Sequence, residues 1–432
     1  MSCTSYSHQK ERRGSVVLLA SVFALSFLFP QSTQAQIAQG YEVATWQGFK
    51  PAAVSYTFDD NTSKQLTVAL PLFNQYNFKT TLFTVTNWGP NWVGLRTAAQ
   101  NGHEVASHTV SHASLNTLSV MGQETELQQS QTTINTNIPE AKCITIAYPN
   151  CNMGDVATIQ KYYLAGRVCS GQIGPSTPGN FYQISSIIAG AQGAVKTAAD
   201  FNAQVTSAKN SRGWCVFLMH GIDNDGGYSP LASAELASHL SYMNTNAADY
   251  WVATFANVVK YIKERNAVSL TEISLAPDSL QLTVQDNLED NLYNVAITVR
   301  RQLPADWNNA KVYINRQLVS STSSTVGGLR YVMFDVVPNG GEVHLAKSLV
   351  AGVQDLRNLA GVSVSPNPFT DGLSVKAASA FQYFLYSLDG KLVEEGKGKN
   401  AAQVGVTLAP GTYLLKLRQK DRVGASRVVK LN

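Results

Sequence analysis

From about residue 52 to residue 264, short apolar runs alternate with amphipathic stretches, and this alternation constrains the fold more than any other feature of the chain. Repeated strand-helix units bury both kinds of element when the strands align in parallel and the helices cover the sheet. Expected strands cover residues 53–58, 80–85, 103–107, 143–148, 164–168 and 214–219. Expected helices cover 63–76, 123–137, 194–209, 232–244 and 255–265. In the last of these Phe255, Val258, Val259 and Ile262 fall at helical spacing. A segment of this length suits one barrel-like α/β domain.

Beyond Asn266 the pattern changes. Leu280-Gln281-Leu282-Thr283-Val284 and Val295-Ala296-Ile297-Thr298-Val299 alternate with a strand period, and Asp, Asn and Gly cluster between such runs. A small β-sandwich is expected over residues 268–350, as a spacer or a carbohydrate-binding module. A linker over 351–361 precedes a third segment, 362–432, in which Asp389-Gly390 and Pro410-Gly411 are turns between strands. The chain therefore reads as an α/β domain over 36–267 followed by two small all-β sandwich domains.

Lys10, Glu11, Arg12 and Arg13 precede an apolar run from Val16 to Phe29, and Thr33-Gln34-Ala35 has the small-x-small form of a signal-peptidase site. Residues 1–35 are expected to be a signal peptide cleaved after Ala35. The run is shorter than the ~20 residues a spanning helix needs, so no transmembrane segment is expected in the mature chain. Cleavage removes Cys3 and leaves Cys143, Cys151, Cys169 and Cys215, an even number in an oxidising compartment, which admits two disulfides. Cys151 and Cys169 each follow an expected strand and can lie at one end of the sheet. A formal charge of +4 on 432 residues, with no basic tract, leaves no electrostatic footprint for nucleic acid.

The chemistry concentrates at strand ends. Thr57-Phe58-Asp59-Asp60 closes the first strand, so two adjacent carboxylates reach the carboxyl end of a parallel sheet, where α/β barrels place their sites. His108-Thr109-Val110-Ser111-His112 follows the third strand and holds two imidazoles at i and i+4, one turn apart if the segment is helical, which suits joint ligation of a borderline metal. Two imidazoles and one carboxylate make a three-ligand set that leaves a position open for water or substrate. His220 ends the apolar strand 214–219 and, with an unperturbed pKa near ~6.5, is suited to proton transfer.

Together these motifs resemble the polysaccharide deacetylase family, the NodB-homology domain or carbohydrate esterase family 4, over roughly residues 41–267. The resemblance implies a distorted (β/α) barrel. It also implies that Asp59 is the general base, that Asp60, His108 and His112 hold one divalent metal ion, and that His220 is the general acid. Zn2+ is the default ion, with Co2+, Ni2+ or Mn2+ compatible with the same donors. A backbone N–H near Asn150, in the segment that begins at Tyr148, would assist the oxyanion. Where many members carry an Arg, two Pro and an aromatic residue, this chain has Ala147-Tyr148-Pro149-Asn150-Cys151. Arg167, at the end of the next strand, is the candidate to orient Asp59 in place of the missing Arg. The family's downstream Asp-x-x-Asp-Trp pattern is also absent, and Asp223 is the candidate to tune His220 or to meet substrate. Trp88 and Trp92, expected in the loop after the second strand, are candidates for stacking on sugar rings.

Residues 362–432 resemble the C-terminal sorting domain of type IX secretion substrates, through Ser365-Pro366-Asn367-Pro368-Phe369, Leu388-Asp389-Gly390-Lys391, Gly411-Thr412-Tyr413 and the ending Val428-Val429-Lys430-Leu431. That resemblance implies recognition by an outer-membrane secretion machinery, then surface attachment or release. The expected function is an exported, metal-dependent hydrolase that removes acetyl groups from a polysaccharide or oligosaccharide, foremost N-acetyl groups of N-acetylhexosamine chains such as chitin-like polymers or peptidoglycan. An O-acetyl esterase acting on acetylated xylan would use the same site and stays open, as does an inactive carbohydrate-binding surface protein.

Overall fold

The computed structural model describes residues 36–348, 354–356, 361–419 and 422–432. The signal peptide expected over residues 1–35 and most of the linker expected over 351–361 lie outside the described residues. Among the described residues, no helix is long and apolar enough to cross a membrane.

The first strand, β1 (Tyr41–Val43), belongs to the sandwich discussed below. The site is carried by an 8-stranded sheet formed by β2 (Ala52–Asp59), β3 (Thr81–Thr84), β4 (Glu104–Ser107), β5 (Thr145–Ala147), β6 (Ala165–Arg167), β7 (Ile187–Ile188), β8 (Trp214–Met219) and β9 (Tyr250–Val252). Its order is β6-β5-β4-β3-β2-β8-β7, every pairing is parallel, and β9 pairs with the first residues of β2. Ile184 bridges to Arg167 of β6 shortly before β7 pairs with β8, so the strand series curls into a distorted barrel.

β2 is buried along all 8 residues, as a strand covered on both faces must be. Val54, Tyr56 and Phe58 pack with Phe73, Phe201 and Phe217 on the helical side, and Ala53 packs with Phe83, Trp214 and Val216 on the other. Each fully buried side chain of the size of Phe58 contributes ~1.5–3 kcal/mol. Helices Val120–Asn137, Ala198–Ser211, Ser233–Thr245 and Phe255–Ala267 occupy the expected stretches. Ser119, Thr197 and Thr254 cap three of them by accepting a backbone N–H of the first turn.

Two local differences from the sequence reading matter for the site. The stretch expected as one helix over 63–76 divides into a π-helical turn, Gln65–Ala69, and an α-helix, Leu70–Gln75. Pro71 has no N–H to donate one turn back, so regular α-helical bonding cannot run through this point. The loop expected around Trp92 contains a helix, Trp92–Gln100, capped by the Asn91 side chain, which accepts from Gly94 N–H. Only Leu95 and Ala98 of that helix are buried, too few to register as a periodic pattern.

After the barrel, a 4-stranded sheet (Tyr41–Val43, Ile297–Gln302, Leu329–Val336, Ser321–Val326) faces a 5-stranded sheet (Ser269–Ala276, Ser279–Gln285, Val343–Lys347, Ala310–Ile314, Gln317–Leu318). This sandwich shares one buried cluster with the barrel: Leu282, Val299 and Trp307 join Trp214, Phe255 and Val259. Tyr261 Oη donates to the Ala44 carbonyl at 2.9 Å, and Glu264 accepts the Val295 N–H at 2.8 Å. The chain ends in a second pair of sheets, 5-stranded and 3-stranded, with its own core around Phe369, Leu385 and Leu415. There Asn367 brackets the last strand, donating to the Arg427 carbonyl and accepting from Val429 N–H, both at 2.9 Å.

Glu264 is buried at the junction of barrel and sandwich, and one of its oxygens has no hydrogen-bond partner. Burial, with the charge of Asp286, raises its pKa to about 7, although the Val295 N–H and Lys260 oppose the shift. A carboxyl raised in the folded state favours folding fully below its ordinary value of 4.5, and that contribution disappears as pH rises through about 7. The Tm advantage of Glu264→Gln over the wild type is therefore expected to widen between about pH 5 and about pH 8. Melting curves showing a constant gap would remove this residue from the pH response.

Candidate metal centre and active-site cleft

β2 delivers Asp59 and Asp60 to the carboxyl end of the barrel, and the chain turns sharply there. Asp60 and Asn61 both adopt positive φ, at 74° and 58°. Asn61 makes this turn rigid by a two-way bond with Val85: its side chain donates to the Val85 carbonyl at 2.8 Å and accepts the Val85 N–H at 3.0 Å. The π-helical turn sets Gln65 beneath the site, where its amide donates to the main-chain carbonyls of Asp59, at 2.5 Å, and His220, at 3.0 Å.

The histidine pair converges without a helix. Residues 108–112 form an irregular loop in which Thr109 and His112 have φ of 67° and 63°. Left-handed conformations cost non-glycine residues ~1–2 kcal/mol each, more for a β-branched Thr, so neighbouring bonds must hold them. Glu126, on helix Val120–Asn137, accepts from Val110 N–H at 2.8 Å, Ser111 N–H at 2.9 Å and Ser111 Oγ at 2.6 Å. His112 N–H donates to Thr109 Oγ1 at 3.1 Å.

His108 Nδ1 lies 2.8 Å from the Ala147 carbonyl. A carbonyl only accepts, so Nδ1 carries the proton and Nε2 presents a lone pair to the cleft. That Nε2 stands 3.6 Å from Asp60 Oδ1, and His112 Nε2 stands 3.5 Å from the same oxygen. Asp60 Oδ1 is buried and has no hydrogen-bond partner among the described residues. One ligand atom from each of Asp60, His108 and His112 lies within 4.8 Å of the others. Acceptors converging at spacings too long for hydrogen bonds are the arrangement a cation between them requires, and two nitrogens with one oxygen suit a borderline divalent ion. The residues present therefore fit such an ion, without selecting among Zn2+, Co2+, Ni2+ and Mn2+.

Beside this set, Arg167 Nη2 donates to Asp59 Oδ2 at 2.5 Å. Arg167 is itself buried, lies against the Phe83 ring at 5.2 Å and donates to Ser186 Oγ at 3.2 Å. Burial pushes the Asp59 carboxyl up, but Arg167, with His108 and His220, outweighs it and holds Asp59 below the ordinary carboxylate range. Asp60 goes the other way: burial and the charge of Asp59 raise it to about 7. Burial lowers His108 to about 4 and also lowers His112 and His220, so all these imidazoles are neutral at pH 7. His220 Nε2 lies 3.9 Å from Asp59 Oδ2 and 4.0 Å from Asp60 Oδ2, and its buried Nδ1 has no hydrogen-bond partner among the described residues.

These groups line one cleft of ≈ 440 Å³, together with Tyr148, Asn150 and Cys151 after β5. Tyr148 is buried, donates from its hydroxyl to the Tyr182 carbonyl at 3.0 Å and lies so close over Gly166 that a Cβ there would come within 1.9 Å of the phenol oxygen. Asn150, exposed on the cleft wall, donates from its side chain to Ser114 Oγ at 2.9 Å. Trp88 is 50% exposed and its ring centroid lies 4.9 Å from that of His112. Trp92 begins its helix packed against the barrel's core and does not line the cleft. Asp223 accepts the Ser233 N–H at 2.8 Å at the start of a helix and is not brought to His220. Sequence reasoning missed Tyr228, which is 54% exposed and meets the His220 ring edge-on at 4.9 Å, and Gln65 beneath both carboxylate and imidazole. Neither residue sits in a pattern that marks it. A smaller cleft of ≈ 330 Å³ around Glu104, Lys142 and Lys260 lies toward the opposite end of the strands, and its half-buried Glu104 accepts from Thr81, Thr145 and the Ala256 N–H.

Of the two disulfides the cysteine count admitted, one is present. Cys151 and Cys169 are bonded, whereas Cys143 and Cys215 are buried free thiols in the core between barrel and helices.

A distorted α/β barrel with a His/Asp cluster at the carboxyl ends of its strands defines the class of the first domain, and comparisons with known proteins agree. Residues 47–164 match the family model described as polysaccharide deacetylase, and residues 363–431 match that of the secretion system C-terminal sorting domain. Residues 47–164 are thus similar to polysaccharide deacetylases, and the sorting domain over 363–431 indicates a secreted or cell-surface protein. A gellan lyase from Bacillus sp. is 27% identical over 327 residues, 70% of this chain but only 13% of the length of that protein. Among solved structures, a putative polysaccharide deacetylase from Mycobacterium smegmatis is similar with 16% identity, covering 51% of this chain and 93% of its own, at a TM-score of 0.41. A family 4 acetyl xylan esterase from Clostridium thermocellum, in complex with a cobalt ion, shows 16% identity over 48% of this chain and 89% of its own, at a TM-score of 0.36.

Because Asp60 holds a proton up to about pH 7 in the absence of a cation, a metal must displace that proton below this value and need not above it. Apparent affinity for a divalent ion is expected to rise about tenfold per pH unit up to about pH 7 and then to level off, with proton release confined to the lower range. Calorimetric titration of the metal-free chain in buffers of different ionisation enthalpy measures both quantities. Affinity independent of pH across that range would remove Asp60 from the ligand set.

Proposed function

We propose that this chain is an exported hydrolase that removes acetyl groups from N-acetylhexosamine polymers or oligomers. The observation that carries this reading is the convergence of Asp60, His108 and His112 on one point, beside an Asp59 that Arg167 holds ionised. Asp60, His108 and His112 would hold a divalent ion, which when bound supplies Lewis acidity and a water of lowered pKa.

The chain's own groups then have distinct tasks. Arg167 occupies Asp59 Oδ2, and Oδ1 is buried without a partner, so Oδ1 is the atom available to take a proton from the attacking water. The same ion pair that orients Asp59 also lowers its basicity, trading proton affinity for a fixed geometry. His220 stands across from the Asp59 carboxylate and is the group to protonate the departing sugar nitrogen. Its lowered pKa keeps it neutral at rest and makes the protonated form a strong donor once formed. The backbone N–H of Asn150, on the cleft wall, is the proposed donor to the oxyanion. Trp88 beside His112 and Tyr228 beside His220 offer exposed ring faces for sugar stacking at the rim.

Asp59→Asn is expected to keep one metal equivalent and lose about 10²–10⁴-fold in kcat for acetate release from N-acetylglucosamine oligomers. His108→Ala is expected to lose metal and turnover together, so metal content by elemental analysis separates the two roles. Full activity in Asp59→Asn would overturn the base assignment. Acetate released from acetylated xylan but not from the oligomers would make the chain an esterase, and no acetate from either despite bound metal would leave a carbohydrate-binding protein.

A further inference from the structure

The loop after β5 carries the proposed oxyanion donor, β6 ends in the arginine that orients Asp59, and one covalent bond joins the segments beyond these two strands. β5 and β6 pair only over Thr145–Ala147 and Ala165–Arg167. Beyond that short ladder the chain after β5 bends through two consecutive left-handed residues, Asn150 at φ 52° and Cys151 at φ 61°. Neither is glycine, so this turn needs an outside restraint to persist. Ser114 Oγ accepts from the Asn150 and Asn152 side chains at 2.9 Å and 3.4 Å, and Cys169, two residues beyond Arg167, adds a covalent restraint through its bond to Cys151, which itself lines the cleft.

We infer that the Cys151–Cys169 disulfide is a positioning element of the active site, holding the Asn150 main chain and Arg167 in register, so that turnover requires an oxidised chain. This rests on the deacetylase reading above. A chain still in a reducing cytoplasm would be poorly active, and catalytic competence would appear with export, where disulfides persist. A dithiol reductant reverses the state: its thiolate attacks one sulfur, its second thiolate releases the mixed disulfide, and it leaves as a cyclic disulfide with Cys151 and Cys169 as thiols.

The test compares the metal-loaded wild type, the same protein reduced by dithiothreitol, and Cys151→Ser/Cys169→Ser. Expected for the reduced and double-variant forms are a kcat about tenfold to a hundredfold lower, KM within about twofold, and unchanged metal content. Backbone amide exchange is expected to accelerate about tenfold or more at residues 148–152 and 167–169 and to stay near wild type in β2 and β8. Reoxidation should restore the wild type, and the double variant should ignore reductant. A general stabilising bond would instead lower Tm and speed exchange throughout the barrel with no change in kcat, which would overturn the inference. So would unchanged kcat with unchanged local exchange. A wild type inactive on every acetylated glycan would sink the deacetylase reading alone, since amide exchange still decides the positioning role. Should the double variant not fold, the reduced wild type carries the same comparison.

Discussion

Two neighbouring carboxylates at the end of β2 set the terms for everything around them. Two unit charges ~4 Å apart repel by ~4 kcal/mol at the effective dielectric of a protein surface, and burial makes each harder to ionise. The surroundings divide the pair. Arg167 contacts Asp59 and holds it below the ordinary carboxylate range, which leaves Asp60 to take the rise in pKa to about 7. Once Asp60 is ionised, the two aspartates and one arginine, with neutral imidazoles around them, leave a single negative charge. A divalent cation held there makes the local balance positive, the sign that favours a developing oxyanion.

The scaffold serves this division through main-chain contacts more than through side chains. Gln65 ties the carbonyl of Asp59 to that of His220, so base and opposing imidazole share one anchor although His220 lies 155 positions beyond Gln65. Ala147 fixes the His108 tautomer from β5, and Ser186 supports Arg167 from the segment that closes the barrel. Each partner comes from a different strand end, which is why a parallel barrel with short strands can assemble a site from residues far apart in sequence. The middle sandwich adds rigidity from below, because its Trp307 and Val299 share a core with Trp214 in β8.

Strand ends and helices of the barrel were legible because parallel strands covered on both faces are continuous apolar runs, as in β2 and β8. Asp59, Asp60, His108, His112 and His220 were legible because they follow such runs directly, and the structure does bring them together. What failed was anything set by backbone shape rather than by periodicity. The HTVSH segment reads as a helical pair by spacing, yet left-handed Thr109 and His112 bring the imidazoles together without a helix. Gln65 and Tyr228 carry no pattern, and Asp223 looked suitable by proximity in sequence but is spent on the Ser233 N–H. Cysteine parity admitted two bridges, but Cys143 and Cys215 pack as small apolar groups in the core.

Several residues near the proposed chemistry have an unfavourable backbone. Asp60, Thr109, His112, Asn150 and Cys151 all have positive φ without being glycine, at ~1–2 kcal/mol each. Such conformations persist only when surrounding contacts over-determine them. The restraints differ in kind: Asn61 clamps the turn at Asp60 to Val85, Glu126 clamps the turn at Thr109 by three hydrogen bonds, and a covalent bond clamps the turn at Cys151. Hydrogen bonds form wherever the chain folds, whereas the disulfide forms only under oxidising conditions. Of the three strained turns, the one at Asn150 and Cys151 adds to its Ser114 hydrogen bonds a covalent restraint that depends on where the protein is, and it lies on the wall of the cleft beside Arg167.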